Sequence, residues 1–356
     1  GGEKVLEAFC RRFPEAPVYT LVHRKGSVSD AIESHPIHTS FVQRLPGALR
    51  RYQRYLPFFP PAIERFDLRG YDLVLSTSHC VAKGVVVHPG TRHLCYCHTP
   101  MRYVWAAYEE YFGNGRLRPP ASWLVPSIAT WLRQWDLASN VRVDSFAANS
   151  ACVAERIRRY YGRGARVIHP LVDTDFYTPG EEAEDFYLVA TALVPYKRVE
   201  VALEAVRLRP RPLVVLGEGV ERARLARLAP AGVRFVGWVP AEELRSYYRR
   251  CRALLFPGEE DFGIVPVEVQ ACGRPVIGLG RGGLLETVRE GVGGVFVAEP
   301  TAASLAAAME RFESMTWDPA IISAGAQRFG ARRFEREVDD WLRERGPAAG
   351  DSGGPG

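Results

Sequence analysis

Two acidic residues eight positions apart, Glu260 and Glu268, are the most informative candidates for chemistry in the sequence. They lie in residues 256–278, where a short apolar strand ends, a loop with Gly263 follows, and a helix begins near Val265. Loops at the carboxyl ends of parallel strands bind ligands in α/β folds, and N–H groups at a helix start can meet phosphate or hydroxyl oxygens. The two carboxylates could accept hydrogen bonds from ligand hydroxyl groups, although the same spacing is common among solvated helix residues.

Further candidates are basic or titratable. Lys197 and Arg198 stand side by side within residues 192–200, between a predicted strand and a predicted helix. Taken alone, such a pair is ordinarily two exposed charges before a helix. His98 follows another predicted strand and precedes Thr99, and a lone histidine is more often packed or capping than catalytic.

Several other kinds of chemistry lack their motifs. The sequence has no G-x-G-x-x-G after a strand, which disfavours a nicotinamide dehydrogenase. It also has no Walker loop and no Ser-His-Asp set, and we identify no candidate for a protein nucleophile. Asp173-Thr174-Asp175 invites a metal-binding interpretation, but turn formation and capping are the favoured roles at this place in the predicted linker. We therefore expect no metal and no other cofactor.

The cysteines and the apolar stretches bear on the compartment. Seven cysteines are an odd number, and most lie in apolar runs, which favours reduced core thiols and a cytosolic, cytoplasmic setting. Cys95-Tyr96-Cys97 lacks the C-x₂-C spacing and the second pair typical of zinc sites. No apolar stretch approaches the ~20 residues that span a bilayer. Any membrane attachment is therefore expected to be peripheral, at the inner face.

The net charge of +5 is unevenly distributed. Residues 1–170 hold 23 Lys and Arg against 13 Asp and Glu, a net of +10, whereas the remainder holds 23 against 28, a net of −5. Arg50, Arg51 and Arg54 supply part of the excess, and Arg156, Arg158 and Arg159 supply more. Solvated helix faces explain much of this, but contact with an anionic phospholipid surface or a phosphate-bearing acceptor is the sharper hypothesis. Nucleic acid is not an expected partner.

The order of elements predicts an α/β fold. At 356 residues, two domains are expected, and strand–helix alternation in both halves predicts two doubly wound parallel-sheet domains. A polar, Pro- and Gly-punctuated passage near residue 173 predicts domains at 1–172 and 173–345, with the last helix packing back on the first domain and a disordered tail at 346–356. Gly1 and Gly2 open directly into a helix, so the first strand is expected to be missing, and an upstream targeting segment stays open.

The individual elements follow from the apolar patterns. Predicted strands are Val18–Val22, Leu73–Ser76, Gly84–His88, Leu94–Cys97, Ser145–Ala148, Arg166–Ile168, Phe186–Ala192, Leu213–Leu216, Arg234–Val236, Ala253–Phe256, Pro275–Gly278 and Gly294–Val297. Predicted helices are Gly2–Arg12 and Ala151–Tyr161, the second capped by Asn149 or Ser150, then 199–208, 220–228, 241–250, 265–272, 283–290 and 301–313.

Four stretches, in order and spacing, resemble glycosyltransferase family 4. Residues 256–278 resemble its E-x₇-E region, and residues 192–200, Ala-Leu-Val-Pro-Tyr-Lys-Arg-Val-Glu, resemble its phosphate-binding loop. Leu216-Gly-Glu-Gly with Val236-Gly237-Trp238 resembles the base-side strands, and residues 148–173 resemble the inter-domain segment. The likeness runs over nearly the whole chain. Residues 96–103, Tyr-Cys-His-Thr-Pro-Met-Arg-Tyr, resemble the mannosyltransferases of bacterial O-antigen and exopolysaccharide assembly.

The resemblance implies a metal-independent, retaining enzyme of the GT-B fold, with two Rossmann-like domains facing across a cleft. It implies that Glu260 holds donor-sugar hydroxyls, and that Glu268 holds the ribose. Lys197, with Arg198 beside it, would neutralise the diphosphate leaving group. Many relatives have Arg where this sequence has Ala192, so phosphate stabilisation rests more heavily on the two cations.

The resemblance also implies roles for residues around these groups. The backbone of Phe262, Gly263 and Ile264 would line the sugar and diphosphate, and base contacts are expected near Gly237 and Trp238. His98 would reach the donor sugar from the first domain, where Gly1 and Gly2 match the family's glycine loop. A further basic-aromatic patch could dock acceptor or membrane, or could simply be packed; its members are Arg102, Tyr103, Tyr108 and Tyr111.

The expected activity is transfer of a hexose, mannose from GDP-mannose, to a lipid-linked or polysaccharide acceptor in cell-surface glycan synthesis. Two alternatives stay open. One is a nucleotide-sugar epimerase of the same architecture, which would interconvert donors without an acceptor. The other is a non-catalytic homologue that binds nucleotide sugar as an assembly partner.

Overall fold

The computed structural model describes residues 2–105, 121–180 and 182–344 of the 356-residue chain. The chain forms two compact units. One contains the chain up to Ile168 together with the chain from Glu335, and the other is His169–Phe334. Gly1, Tyr108, Tyr111 and the predicted tail at 346–356 lie outside the described residues.

The first unit contains two parallel sheets. Its strands are β1 (Val18–Thr20), β2 (Ile37–Thr39), β3 (Leu73–Ser78), β4 (Arg92–Cys97), β5 (Ser145–Ala148) and β6 (Ala165–Val167). β1 pairs with β2, and the other four form one sheet in the order β3-β4-β5-β6. Residues 93–97 of β4 are all buried, as expected for a parallel strand covered on both faces.

Helices surround these sheets and connect their strands. The α-helices are Gly2–Arg12, Asp30–Glu33, Ala48–Arg51, Phe59–Ile63, Ala121–Ala138 and Ala151–Tyr161, with 3₁₀ segments at Phe41–Arg44, Tyr52–Phe58, Ala82–Gly84 and Ser139–Arg142. The helix Ala151–Tyr161 begins where the Ser150 hydroxyl accepts the Val153 N–H, and it ends at left-handed Gly162. Ser150 is therefore the N-cap of this helix.

The second unit is one six-stranded parallel sheet. Its strands are β7 (Tyr187–Ala190), β8 (Leu213–Leu216), β9 (Val233–Gly237), β10 (Ala253–Phe256), β11 (Val276–Leu279) and β12 (Gly294–Val297), and they lie in the order β12-β11-β10-β7-β8-β9. This is the doubly wound order, in which the chain first builds outward in one direction and then returns to build in the other. The direction reverses between β7 and β10, so a ligand site is expected where these two strands end.

Helices cover both faces of this sheet. They are Val199–Leu208, Arg222–Leu228, Ala241–Arg250, Ile264–Ala271, Leu284–Thr287, Ala302–Glu313 and Pro319–Ala326, with 3₁₀ segments at Pro195–Lys197 and Gln327–Phe329, and the last helix of the chain is Ala331–Arg343. Alternate residues of β7 enter different cores: Leu188 and Ala190 pack on one face, and Tyr187 and Val189 on the other. The last helix begins in the second unit and runs into the first, where Trp341 is buried and its ring N–H donates to the Ser145 hydroxyl at 2.9 Å.

The structure confirms the predicted α/β fold class with parallel sheets in both halves, and it corrects one strand. The apolar residues 84–88 form no strand. Gly84 ends a 3₁₀ turn, its carbonyl accepts a hydrogen bond from Arg142 at 2.6 Å, and Trp135 packs directly on its Cα. Side chains therefore satisfy and cover the backbone at Gly84, which needs no strand partner there, and Val86 and His88 are exposed to water.

Candidate active site

The ends of β7 and β10 surround a small cavity at the point where the strand order reverses. Residues 189–191 and 255–258 line it, together with the side chains of Lys197 and Glu260. Lys197 ends the loop after β7, Glu260 lies in the loop after β10, and the ammonium and carboxylate form an ion pair. Both side chains are largely enclosed, with exposed fractions of 14% for Lys197 and 23% for Glu260. The lysine ammonium also lies 5.1 Å from the centre of the Tyr196 ring.

A glycine that sequence reasoning missed lets the two loops meet. A Cβ at Gly258 would lie 3.0 Å from the Tyr196 carbonyl oxygen and 3.1 Å from Lys197 Cα. Any larger residue would therefore push the Lys197 backbone away from the loop that carries Glu260. The only sequence signal for this requirement is that a glycine follows β10.

A pair of adjacent glycines holds the Glu260 loop from the other side. Gly282 and Gly283 follow β11, and the Gly283 N–H donates to the Glu260 carbonyl at 2.8 Å. A Cβ on Gly283 would collide with the backbone of Asp261 and Phe262. The loop after β11 therefore packs directly against the backbone of the Glu260 loop. This contact fixes the position from which the Glu260 side chain extends.

The helix Ile264–Ala271 begins directly after this loop. Its N-cap, Gly263, is left-handed with φ of 85°, and the N–H groups of its first turn have no partner within the helix. Such a turn favours an anion or an oxygen acceptor. The Phe262 ring is buried, so Phe262 could face a ligand only with its backbone, as predicted for all three of Phe262, Gly263 and Ile264.

Glu268 lies on the second turn of the same helix and is half-buried. The Tyr248 hydroxyl donates to its Oε2 at 3.1 Å. The pKa values of Tyr248 and Tyr177 are both raised, mainly by burial and secondly by the negative charge of Glu268. Both phenols therefore remain protonated donors. Two neutral tyrosines therefore orient the carboxylate without neutralising it.

Arg198 is placed differently from Lys197. It adopts a left-handed backbone with φ of 52°, unlike every other described non-glycine residue, and it begins the helix Val199–Leu208. This conformation costs roughly 1–2 kcal/mol in an L-residue. Its exposed guanidinium donates to the Pro300 carbonyl at 3.3 Å, so the structure brings Lys197 to Glu260 but directs Arg198 to the loop after β12.

The predicted base-side residues lie at the same edge of the sheet. Gly237 ends β9 with φ of 94°, and a Cβ there would lie 2.7 Å from a Glu218 carboxylate oxygen. Trp238 follows and is 77% exposed. An exposed indole at the carboxyl edge offers a flat apolar surface for a planar ligand group.

A cluster absent from the sequence predictions lies behind the Glu260 loop. His169 Nε2 and Glu286 Oε2 are 2.8 Å apart, and the His169 ring packs 5.5 Å from that of Phe262. Phe329 packs edge-on against both rings, and Arg328 donates to the Glu286 carbonyl at 2.7 Å. This His169 cluster joins the first and last segments of the second unit to the loop that carries Glu260.

Two predicted residues lie together in the first unit. His98 follows β4, with its ring 5.1 Å from that of Tyr96. Gly2 begins the first helix beside it, since a Cβ on Gly2 would be 3.4 Å from His98 Nε2. Arg102 and Tyr103 are half-buried in the turn that follows.

The linker motif and the cysteines take ordinary structural roles. The Asp173 carboxylate accepts the Phe176 N–H at 3.0 Å, which is the turn geometry expected of that motif. All seven cysteines are free thiols. In the described parts of the chain, no group of histidine, cysteine and acidic residues is arranged to hold a metal ion, and no helix is long and apolar enough to cross a membrane.

Two family models match the chain. The model described as Glycosyltransferase Family 4 matches residues 1–176, and the one described as Glycosyl transferases group 1 matches residues 175–328. The chain therefore belongs to the group 1 and family 4 glycosyltransferases.

Individual relatives agree with this assignment. The D-inositol 3-phosphate glycosyltransferase of Geodermatophilus obscurus is 34% identical over 231 residues, which is 55% of this chain and 51% of that protein. The chain thus spans about half the length of the curated relatives it matches. These relatives carry a different name from the expected mannosyltransferase subgroup, which stays a prediction.

Solved structures show the fold over nearly the whole chain. Sucrose-phosphate synthase from Thermosynechococcus elongatus superposes with a TM-score of 0.72 and 19% identity, covering 95% of this chain and 90% of that one. Anabaena HepE in complex with UDP-glucose superposes with a TM-score of 0.68 and 17% identity, covering 96% and 95%. The fold is accordingly of the GT-B type, with two parallel-sheet domains.

Proposed function

We propose that this protein transfers a hexosyl group from a nucleoside diphosphate sugar to an acceptor hydroxyl, with retention of the anomeric configuration. The observation that carries the proposal is the Lys197–Glu260 pair at the switch point of the six-stranded sheet, beside the start of the helix Ile264–Ala271. Family membership supports it.

The pair joins the two groups that such a donor requires. A diphosphate carries negative charge, which Lys197 and the first-turn N–H groups of the helix can stabilise as the bond to the sugar breaks. Glu260 would accept hydrogen bonds from sugar hydroxyls. Without donor, the two side chains neutralise each other; with donor, each would exchange this partner for the part of the ligand that it recognises.

In this scheme the bond between the anomeric carbon and the phosphate oxygen breaks, and a bond to the acceptor oxygen forms on the same face. The acceptor proton passes to the departing phosphate oxygen, so no protein nucleophile is required. Glu268, held by its tyrosines, would bind the ribose, and Trp238 would lie against the base. His98 and Gly2, together in the first unit, would contact the donor sugar.

For donor and acceptor, the sequence resemblance favours GDP-mannose and a lipid-linked or polysaccharide acceptor. The HepE complex contains UDP-glucose, which makes this donor the second candidate. The relatives named for D-inositol 3-phosphate make a phosphate-bearing acceptor worth including, and the net charge of +10 in residues 1–170 suits one. We expect the reaction to proceed at the membrane surface when the acceptor is lipid-linked.

The test is release of nucleoside diphosphate from a panel that includes GDP-mannose and UDP-glucose, with and without lipid-linked and phosphate-bearing acceptors. Lys197→Ala is compared with Arg227→Ala, which removes an equal charge from an exposed helix position. We expect acceptor-dependent release that the first substitution abolishes and the second preserves. Equal release by both variants would overturn the site, and donor interconversion without acceptor would indicate an epimerase.

A further inference from the structure

The segment Leu49–Phe58 of the first unit presents apolar and basic side chains together on its outer side. Three large apolar residues are about half exposed there: Leu49 at 49%, Tyr52 at 44% and Phe58 at 50%. Arg50, Arg51, Gln53 and Arg54 are also exposed. We refer to these seven residues as the 49–58 surface.

The inner side of this segment is firmly attached to the unit. Ala48 and Phe59, which flank it, are buried, and Phe59 packs in the same core as Val42. The Tyr55 hydroxyl donates to the Pro46 carbonyl at 2.7 Å. Because the segment already has its own core contacts, exposure of its outer apolar side chains is not the result of a detached loop.

The arginines of the surface lack acidic partners. No Asp or Glu occurs between Glu33 and Glu64, and within the described residues Arg50, Arg51 and Arg54 form no ion pair. Three exposed arginines elsewhere in the same unit are, in contrast, paired with a near neighbour: Arg69 with Asp67, Arg158 with Glu155, and Arg343 with Asp340. The two basic clusters seen in the sequence therefore differ, because the one containing Arg158 is partly neutralised within its helix.

We propose that the 49–58 surface docks on an anionic phospholipid membrane. Guanidinium groups bind phosphate with two parallel hydrogen bonds, and amphipathic aromatic rings favour the boundary between headgroups and acyl chains. Leu49 and Phe58 gain nothing from phosphate alone, but they are removed from water at that boundary. Exposed apolar side chains beside arginines favour a bilayer over nucleic acid. The net charge of −5 in the second half of the chain would also repel an extended polyanion.

Membrane docking adds to the proposed function, because it would bring the enzyme to a lipid-linked acceptor. That role rests on the proposed function. The binding itself is independent of catalysis. Each arginine near an anionic surface strengthens binding about fivefold, and the effect falls off within a Debye length, so the interaction weakens in high salt.

The test is co-sedimentation of the full chain with mixed phosphatidylcholine–phosphatidylglycerol vesicles and with pure phosphatidylcholine vesicles. We expect binding to the anionic vesicles only. The triple variant R50Q/R51Q/R54Q should bind about a hundredfold more weakly. The matched control R69Q/R158Q/R343Q removes the same charge from ion-paired positions of the same unit and should lose no more than about fivefold.

A second variant tests the apolar part. L49S/F58S retains all charges and should weaken vesicle binding by about tenfold or more. Unchanged melting temperatures establish that each variant is folded. Equal loss in both triple variants, equal binding to the two vesicle types, or full binding by L49S/F58S would overturn the proposal, as would binding to duplex DNA with the same variant dependence in place of vesicle binding.

Turnover with an uncharged, water-soluble acceptor keeps the two proposals apart, because such an acceptor does not depend on the positive charge of the first unit. The R50Q/R51Q/R54Q variant should release nucleoside diphosphate at the wild-type rate in that assay, because none of its changes touches the Lys197 site. No release by any variant, with vesicle binding as expected, would refute the transferase proposal and leave the docking surface standing.

Discussion

The two ends of the six-stranded sheet each hold a glutamate in contact with basic side chains, but they are built in different ways. At the amino end, Glu313 accepts hydrogen bonds from Arg209 at 2.6 Å, from Arg211 at 2.8 Å and from the Tyr187 hydroxyl at 2.9 Å. At the carboxyl end, Glu260 lies on a loop between glycine contacts and is paired with Lys197.

The difference lies in how completely the chain satisfies each carboxylate. Glu313 ends a long helix and has three donors from the chain itself, so its interactions contribute to stability and leave little capacity for a ligand. Glu260 and Lys197 face a cavity, and each can exchange its partner for part of a ligand. Substitutions should therefore affect stability at one end and turnover at the other.

The largest expected effect is on turnover in Lys197→Ala. Removing one preorganised group that stabilises developing charge lowers kcat by about 10²–10³-fold. Steady-state release of nucleoside diphosphate measures it. The melting temperature should change little, because the Glu260 carboxylate lines the cavity and can be hydrated there once the lysine is removed. A large fall in melting temperature with unchanged kcat would show that the Lys197–Glu260 pair contributes to stability, as Glu313 does, and not to turnover.

The next largest effect is on stability, in Glu313→Gln. Burial alone would raise the pKa of Glu313, but hydrogen bonds from Arg211, Arg209 and Tyr187 lower it from 4.5 to about 2. We expect the free energy of unfolding to fall by about 1–2 kcal/mol at neutral pH. This is less than the pKa shift alone would imply, because the arginines are partly exposed and water screens their charge. Urea denaturation measures this loss, and kcat should not change.

The pH dependence of the same variant sharpens the prediction. Because the folded-state pKa lies below the unfolded value, the stabilisation is fully present above about pH 4.5 and is lost as pH falls through about 2. The difference in stability between wild type and Glu313→Gln should narrow across that window. A constant difference would show that the carboxylate charge is not its source.

Gly258→Ala tests the approach of the two loops. Its Cβ would press on the backbone of Tyr196 and Lys197, so displacement of the lysine should lower kcat by about tenfold. Gly164→Ala is the matched control, since a Cβ there meets no atom within 4 Å. Equal kcat in both variants would show that Gly258 has no part in placing Lys197.

The smallest expected effect concerns the His169 cluster. Glu286→Ala removes the partner of His169 behind the Glu260 loop, and should raise the KM for donor about fivefold with a smaller change in kcat. Glu286→Gln keeps a hydrogen-bond acceptor and should restore most of the loss. Failure of glutamine to restore KM would indicate that the packing around His169, and not this hydrogen bond, supports the loop.

The sequence predicted strands best where apolar runs are short and bounded. β8, β10 and β12 have the predicted limits, because each is a short, largely buried apolar run bounded by turn residues. Residues 84–88 have a similar composition, but Gly84 at their start contacts Trp135 and Arg142, and a local pattern cannot reveal these contacts.

The site shows the same division between local and distant information. The loop and helix around Glu260 follow from neighbouring residues, and the resemblance supplied their expected roles. His169 and Glu286 are 117 positions apart, and Gly258 is required by a loop from which three strands separate it in the sequence, so neither could be found from a single sequence. Arg198 was paired with Lys197 by adjacency, yet its left-handed backbone turns the two side chains to different neighbours.

The central claim is that Lys197 and Glu260 give up their ion pair to bind the donor. The most direct test is calorimetric titration of GDP and UDP into wild type, Lys197→Ala and Glu260→Gln. Lys197→Ala should weaken binding of whichever nucleotide the protein accepts by about tenfold or more. Glu260→Gln should tighten it about fivefold, because the lysine is released from its carboxylate, while turnover of the sugar donor falls. Weaker binding in both variants, or no change in either, would contradict the account.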